Sequence, residues 1–372
     1  MIKMIKILHI VSSLSKKSGV MSFIMNYYRY IDRTNFQFEF LYWIKDENSY
    51  AGEILSLGGN IHHIPKPSLK IDFINEITSF FRVNGGKYHY LHLHEVYLNS
   101  LFSIIRRKYN TGSIIVHAHT TKYSDKLLSS FRNQILCFNV KKNGDFFFAC
   151  SEDAGRFYYG DDFYDRGNVE IIRNAIDTDL YLFNSEVRKT IRSMLSIDNK
   201  LVVGHVGRFN NQKNHKFLID VFCEIEKREK DSVLLLVGEG PLKNEIVEMV
   251  KDKGISDKIL FLGQRSDVNK LLQGIDVFIL PSLFEGLGIV LVEAQVSGLK
   301  CFASDVIPKE VKICKNLKFL SLNDDLSSWA SEIIKALKES NNDRRLSREL
   351  TDIYDIKNEV FKIERLYYDL IE

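Results

Sequence analysis

The stretch Leu201-Val202-Val203-Gly204-His205-Val206-Gly207-Arg208-Phe209-Asn210-Asn211-Gln212-Lys213-Asn214-His215 joins an apolar run to a polar loop. Residues 201–206 have the pattern of a buried strand. Gly207 lets the backbone turn tightly, and 216–230 then reads as a helix. The same order recurs downstream. Apolar runs at 233–237, 259–262, 277–280, 301–303 and 319–320 are separated by helix-like stretches such as 242–253 and 285–297. Upstream, runs at 5–11, 36–42, 88–94, 114–117, 146–150 and 169–172 enclose helix-like segments at 21–31 and 72–82. Alternating strand and helix patterns predict parallel sheets with right-handed crossovers. Two such series predict an α/β protein of two Rossmann-like domains facing each other across a cleft.

The polar segment 177–199 is the best hinge. The expected division is 1–178 for the first domain and 179–354 for the second, with 355–372 as a helix that crosses back onto the first. The chain has 372 residues, 45% hydrophobic and 27% charged, an ordinary globular composition. Its net charge of +3 is too small for a general nucleic-acid binder. The charge is uneven: residues 1–178 hold 22 basic and 17 acidic side chains. Basic clusters lie at Arg106-Arg107-Lys108, at Lys122, Lys126 and Arg132, and at Lys141-Lys142. Such clusters suit a solvated face, or contact with anionic lipid headgroups or a phosphorylated acceptor. Five scattered cysteines, none spaced like a zinc clamp, fit a reducing cytosol. No signal peptide is visible, and no window reaches the ~20 apolar residues of a membrane span. The expectation is a cytoplasmic protein, with room for peripheral contact at the inner face of the cell membrane.

Open parallel sheets bind ligands at the carboxyl ends of their strands, which points to the loops after 206, 237, 262 and 280. In the first of these, Arg208 and Lys213 beside free main-chain N–H groups make a diphosphate site. In the last, Pro281-Ser282-Leu283-Phe284-Glu285-Gly286-Leu287-Gly288-Ile289-Val290-Leu291-Val292-Glu293-Ala294-Gln295 predicts a strand ending at Pro281 and a helix starting near Gly286. On that helix Glu285 and Glu293 would stand about 12 Å apart along the axis. One carboxylate can accept bonds from sugar hydroxyls and the other from a ribose. The N–H groups of Gly286, Leu287 and Gly288 would face phosphate oxygens. Glu293 lies in an almost wholly apolar helix, and a charge there needs a partner. Leu236-Val237-Gly238-Glu239-Gly240-Pro241 is a strand with a Gly-rich turn, and Ser18-Gly19-Val20 opens a helix after the first strand. His117 and His119 lie on one face of an extended segment. With no Cys or acidic residue following closely, they read as polar groups at the cleft rather than as a metal site. Asp177-Thr178-Asp179 reads as hinge structure.

Together these segments resemble the family 4 glycosyltransferases, retaining nucleotide-sugar transferases of the GT-B fold. The resemblance spans nearly the whole chain. It rests on Gly207-Arg208 with Lys213, on the Glu285 and Glu293 pair, and on Gly238-Glu239-Gly240-Pro241 between them. Asn174-Ala175-Ile176-Asp177 matches the family's Asn-Gly-Ile-Asp with alanine for glycine, and Ser18-Gly19 stands where many members have Gly-Gly. Segments 264–268 and 304–310 are similar to those of bacterial capsule and exopolysaccharide enzymes.

The resemblance implies an acceptor-binding first domain and a second domain that binds a UDP-sugar or similar donor. Arg208 and Lys213 would neutralise the diphosphate leaving group, Glu285 would hold donor-sugar hydroxyls and Glu293 the ribose. His119 and the Gly19 backbone would close over the sugar, and Arg265 would lie near the base. Gly207, Gly238, Gly286, Leu287 and Gly288 complete the donor-binding set. No enzymic nucleophile, metal or cofactor is implied beyond the nucleotide-sugar itself. The partners implied are the donor and a polyprenyl-diphosphate-linked saccharide, with no nucleic acid. Two other readings share the fold. A nucleotide-sugar epimerase leaves the two glutamates unexplained, and a non-catalytic sugar-nucleotide-binding subunit would not require both Arg208 and Lys213.

Overall fold

The computed structural model describes residues 4–124, 127–339, 344 and 352–370. Lys126 of the basic clusters and Ile371 of the last helical segment lie outside them. The chain divides into two compact units, 1–176 with 356–372, and 177–355.

The first unit is built on a seven-stranded sheet in the order β3-β2-β1-β4-β5-β6-β7. Its strands are β1 (Ile5–Ile10), β2 (Phe36–Tyr42), β3 (Asn60–His63), β4 (Tyr90–Leu93), β5 (Ser113–Ala118), β6 (Phe146–Ala149) and β7 (Val169–Ile171). Every neighbouring pair is parallel. The pleat sends alternate residues to opposite faces. Leu8 and Ile10 enter one core with Leu91, Leu93 and Phe102, while Ile5 and Ile7 enter the other with Phe38, Phe40 and Tyr90. β3 has no counterpart among the expected strands. Its sequence, Asn-Ile-His-His, lies at the sheet edge and is only partly buried, so it needs no apolar run.

The helix Ile356–Asp369 belongs to this first unit and covers the face carrying His92. Tyr367 is fully buried there. Its carbonyl accepts from the Tyr90 hydroxyl at 2.9 Å, and its own hydroxyl lies 2.9 Å from His92 Nδ1.

The second unit carries six parallel strands in the order β10-β9-β8-β11-β12-β13. They are β8 (Leu201–Val206), β9 (Ser232–Val237), β10 (Ile259–Gly263), β11 (Val277–Leu280), β12 (Lys300–Ser304) and β13 (Leu317–Leu320). Both sheets change direction between their first and central strands, the topology that gathers loops at one sheet edge. Asp276 anchors the start of β11. It accepts from Arg188, from Arg192 at 3.1 Å and from the Val202 N–H at 2.8 Å. No helix among the described residues is long and apolar enough to cross a membrane.

Tyr367→Ala should remove a filled core position and leave His92 short of a partner, at a cost of about 3–5 kcal/mol. In urea the unfolding of the first unit should move to lower concentration while that of the second stays in place. A single transition at the parent's midpoint would refute this account of the last helix.

Candidate active site

The loops after β8, β9 and β11 meet at the carboxyl edge of the second sheet because glycines let their main chains touch. The Gly207 N–H donates to the Val237 carbonyl at 2.9 Å, and the Gly238 N–H to the Gly263 carbonyl at 2.8 Å. Gly238 has φ +142°, and a Cβ there would lie 2.0 Å from the Gly207 carbonyl oxygen. One at Gly240 would lie 2.4 Å from that of Phe209. Gly238 is therefore a packing residue in this structure. Its N–H is already spent inside the sheet and does not point at a ligand.

Asn210 accepts from the Lys213 N–H at 3.2 Å and folds the loop into a 3-10 turn, Asn211–Lys213. That turn directs the Lys213 ammonium inward onto Glu285 Oε1, 2.5 Å away. The two side chains are only 15% and 7% exposed, so each charge needs the other. Ser282 donates to Glu285 Oε1 at 2.7 Å and Gln212 to Oε2 at 3.1 Å. The Leu283 N–H donates to the Gln212 carbonyl at 2.8 Å and ties the loops together. Ser282 and Gln212 carry no charge, and the sequence alone assigns them no role. Arg208 is exposed, and among the described residues its guanidinium has no ion-pair partner.

The helix expected from Gly286 starts at Ile289 and ends at Val296. Glu285 lies in an irregular loop that bends at Gly286 and Leu287, and Gly288 turns into the helix at φ +84°. The capture of the Glu285 carboxylate by three donors and the left-handed Gly288 oppose an earlier start. Glu285 therefore lies outside the helix that carries Glu293, and the expected 12 Å helical spacing between them does not hold. Among the described residues the Leu287 and Gly288 N–H groups have no acceptor, and they sit at the mouth of the Ile289–Val296 helix.

Glu293 is half-buried on that helix. Burial pushes its carboxyl up to about 7, against the opposing pull of the Tyr181 hydroxyl and the Lys213 charge. Tyr181, which was also not foreseen, is thus the partner that a carboxylate in an apolar helix requires. Arg265 does not join this group. It makes a bidentate pair with Asp267 of its own loop, at 2.8 and 2.7 Å. Next to Lys213, burial and the nearby ammonium hold His215 down to about 4, and burial keeps His205 well below its ordinary value. Both imidazoles are neutral.

In the first unit Ser18 caps the helix Gly19–Tyr30, accepting from the Met21 N–H at 3.3 Å, and a Cβ at Gly19 would meet open space. His119 follows β5. It stacks on His117 with centroids 4.0 Å apart and lies 2.7 Å from His94 Nδ1 through its Nε2. The topology adds three histidines that distant segments supply. His9 Nδ1 is 2.9 Å from His94 Nε2, and His92 Nε2 is 3.1 Å from His117 Nδ1. Burial lowers all five imidazoles, His9 and His119 to about 3. His9–His92–His94 and His94–His117–His119 each bring ring nitrogens within 4.8 Å, so these trios could hold a metal ion. The planes of the hydrogen-bonded rings lie within 16–27° of parallel. The bonds link them into two files, His9–His94–His119 and His92–His117.

The family model for glycosyl transferases group 1 matches residues 187–351. EpsF of Bacillus subtilis (strain 168), named as a glycosyltransferase, is 34% identical over 337 residues, 89% of this chain and 87% of its own. A UDP-Gal:alpha-D-GlcNAc-diphosphoundecaprenol alpha-1,3-galactosyltransferase of Escherichia coli is 26% identical over 56% of each chain. Anabaena HepE, solved in complex with UDP-glucose, superposes with a TM-score of 0.80 over 98% of this chain and 99% of its own, at 16% identity.

Glu293→Gln tests the cost of the half-buried carboxylate. The raised pKa means that ionisation is disfavoured in the fold, so the parent loses stability as pH rises through about 7. The variant should match the parent below pH ~4.5 and exceed it by about 2–3 kcal/mol at pH 8. Urea titrations at both pH values measure the gap, and a gap independent of pH would refute the assignment.

Proposed function

The chain belongs to the glycosyl transferases group 1 family, and on that premise we propose that it moves a sugar, with retention, from a UDP-sugar to a lipid-linked saccharide in surface-polysaccharide assembly. The observation that carries this reading is the cation and N–H group at one sheet edge. Lys213 is held on Glu285, and among the described residues Arg208 has no ion-pair partner and the Leu287 and Gly288 N–H groups lack acceptors. A diphosphate placed there would meet two cations and a helix mouth. Breaking the bond to the sugar pushes negative charge onto the β-phosphate, and donors fixed in advance stabilise that charge without reorganising.

Glu285 serves the donor-sugar hydroxyls and also keeps Lys213 oriented. Glu293 serves the ribose. On the first unit His119 and the Gly19 main chain are the candidates for contact with the sugar. The acceptor hydroxyl attacks on the face from which the phosphate departs, and the departing phosphate oxygen takes its proton. No side chain is assigned as nucleophile. Arg208 and Lys213 supply the charge neutralisation that a divalent ion supplies elsewhere. The UDP-glucose bound by HepE and the diphosphoundecaprenol acceptor of the Escherichia coli relative support the choice of donor and acceptor class. A cytoplasmic enzyme at the inner membrane face fits such an acceptor.

A panel of radiolabelled UDP-sugars with membrane extract should deliver label to the lipid fraction from one donor. Transfer of none would overturn the reading. Arg208→Ala should lose about a hundredfold in kcat, the usual effect of removing one preorganised donor. Glu285→Gln should lose most transfer while its circular dichroism stays that of the parent. Adding Mg²⁺ or Mn²⁺ to chelator-treated enzyme should leave the rate unchanged, and a rise with either ion would remove Arg208 and Lys213 as sufficient counter-charges.

A further inference from the structure

The file His9–His94–His119 runs from the core of the first unit outward. His9 and His94 are buried, and His119 is the partly exposed end. Burial holds all three imidazoles far below their ordinary pKa. Each is therefore neutral and carries one N–H and one bare nitrogen. Two directions are open to such a file. In the first, His9 Nδ1–H donates to His94 Nε2 across 2.9 Å and His94 Nδ1–H donates to His119 Nε2 across 2.7 Å. The His119 proton then sits on Nδ1. In the second, both bonds are reversed, His119 is protonated on Nε2, and His9 carries its proton on its own Nε2.

The buried end decides between them. His9 Nε2 is enclosed and has no hydrogen-bond partner among the described residues. Phe38 and Phe40 pack against the His9 ring with centroids 4.2 and 5.3 Å away, and neither side chain offers an oxygen or nitrogen. The second direction strands an N–H at that position. The first leaves only a bare nitrogen there, and orphaned buried N–H groups are rarer in folded proteins than under-satisfied acceptors. The outer end is fixed as well. His119 stacks on His117 at 4.0 Å and meets Phe23 at 5.2 Å and 62°, so its ring is held in one plane. Among the described residues its Nδ1 has no partner. The other file behaves differently. It runs from the Tyr367 hydroxyl through His92 to His117 Nε2, which is buried and unpartnered, so it delivers nothing to a ligand.

We propose that His94 and His9 are positioning residues that lock His119 as the Nδ1–H tautomer, so that its outer nitrogen donates to an oxygen of the bound sugar. This rests on the reading above that His119 meets the donor sugar. Which ring nitrogen carries the proton is set by the bond the other one makes. A neutral imidazole aimed this way polarises an oxygen and keeps its proton. With the file reversed, the same nitrogen would accept from a hydroxyl instead of donating. The proton stays on Nδ1 throughout; the file orients and does not conduct.

Long-range ¹⁵N–¹H spectra of the full chain with labelled histidine read the tautomer before any donor is added, and His119→Gln identifies the His119 signals. The parent should show a protonated Nδ1 and a bare Nε2. His94→Leu removes the middle of the file and should leave His119 as a mixture of both tautomers. His9→Asn places an amide where Nδ1 stood. Its oxygen can accept from His94 Nε2–H, so His119 should shift toward the Nε2–H form. In both variants kcat for sugar transfer should fall about tenfold, the worth of one neutral hydrogen bond, while the Kd for UDP stays that of the parent. An Nε2–H His119 in the parent would overturn the proposal, as would a tautomer unchanged in both variants. So would stoichiometric uptake of Zn²⁺ that moves the His9, His94 and His119 nitrogens together, because the file would then be a metal centre. The parent spectrum decides even where neither variant folds. Because the spectra need no sugar, a failure of every UDP-sugar to transfer would remove the transferase reading without altering the tautomer that is read.

Discussion

A half-buried ammonium and a buried carboxylate hold the working edge of the second unit together. Lys213 comes from the loop after β8 and Glu285 from the loop after β11, 72 positions apart in the chain. Each charge offsets the other's desolvation at that depth, and removing one partner leaves the other without its counter-ion. Ser282 and Gln212 complete the carboxylate's bonding and fix its orientation. The pair does more than stabilise. It stores a cation at the sheet edge in a known direction, with the Gly288 turn and the Ile289–Val296 helix aligned beside it.

That arrangement has a chemical implication. A ligand anion entering the edge competes with Glu285 for the Lys213 ammonium, and a ligand hydroxyl competes with Lys213 for the carboxylate. A sugar diphosphate offers both at once. It can therefore replace the internal pair without leaving either charge uncompensated, whereas a lone phosphate or a neutral sugar cannot.

Much of this was legible in the sequence because the signals were strong and local. Parallel strands buried on both faces read as mainly apolar runs, and every strand but the edge strand β3 coincides with such a run in the sequence. Arg208, Lys213, Glu285 and Glu293 stood out as charges beside glycines or inside an apolar helix. What escaped notice was non-local or neutral. Ser282 and Gln212 matter through their partners. His9, His92 and His94 gain meaning only when β1 and β4 bring them beside His117 and His119. The helix start was misplaced by three residues because a glycine pair and a glutamate satisfy helix-opening rules that Lys213, seventy positions earlier, overrides.

The helix Ile356–Asp369 completes a sheet whose first strand begins at Ile5, so the second unit is inserted between two parts of the first. On a ribosome the two units therefore mature in reverse of their order in the chain. Residues 177–355 can finish folding once their own strands have emerged. Until translation delivers the helix Ile356–Asp369, the face bearing Phe36, Tyr90 and His92 stays uncovered.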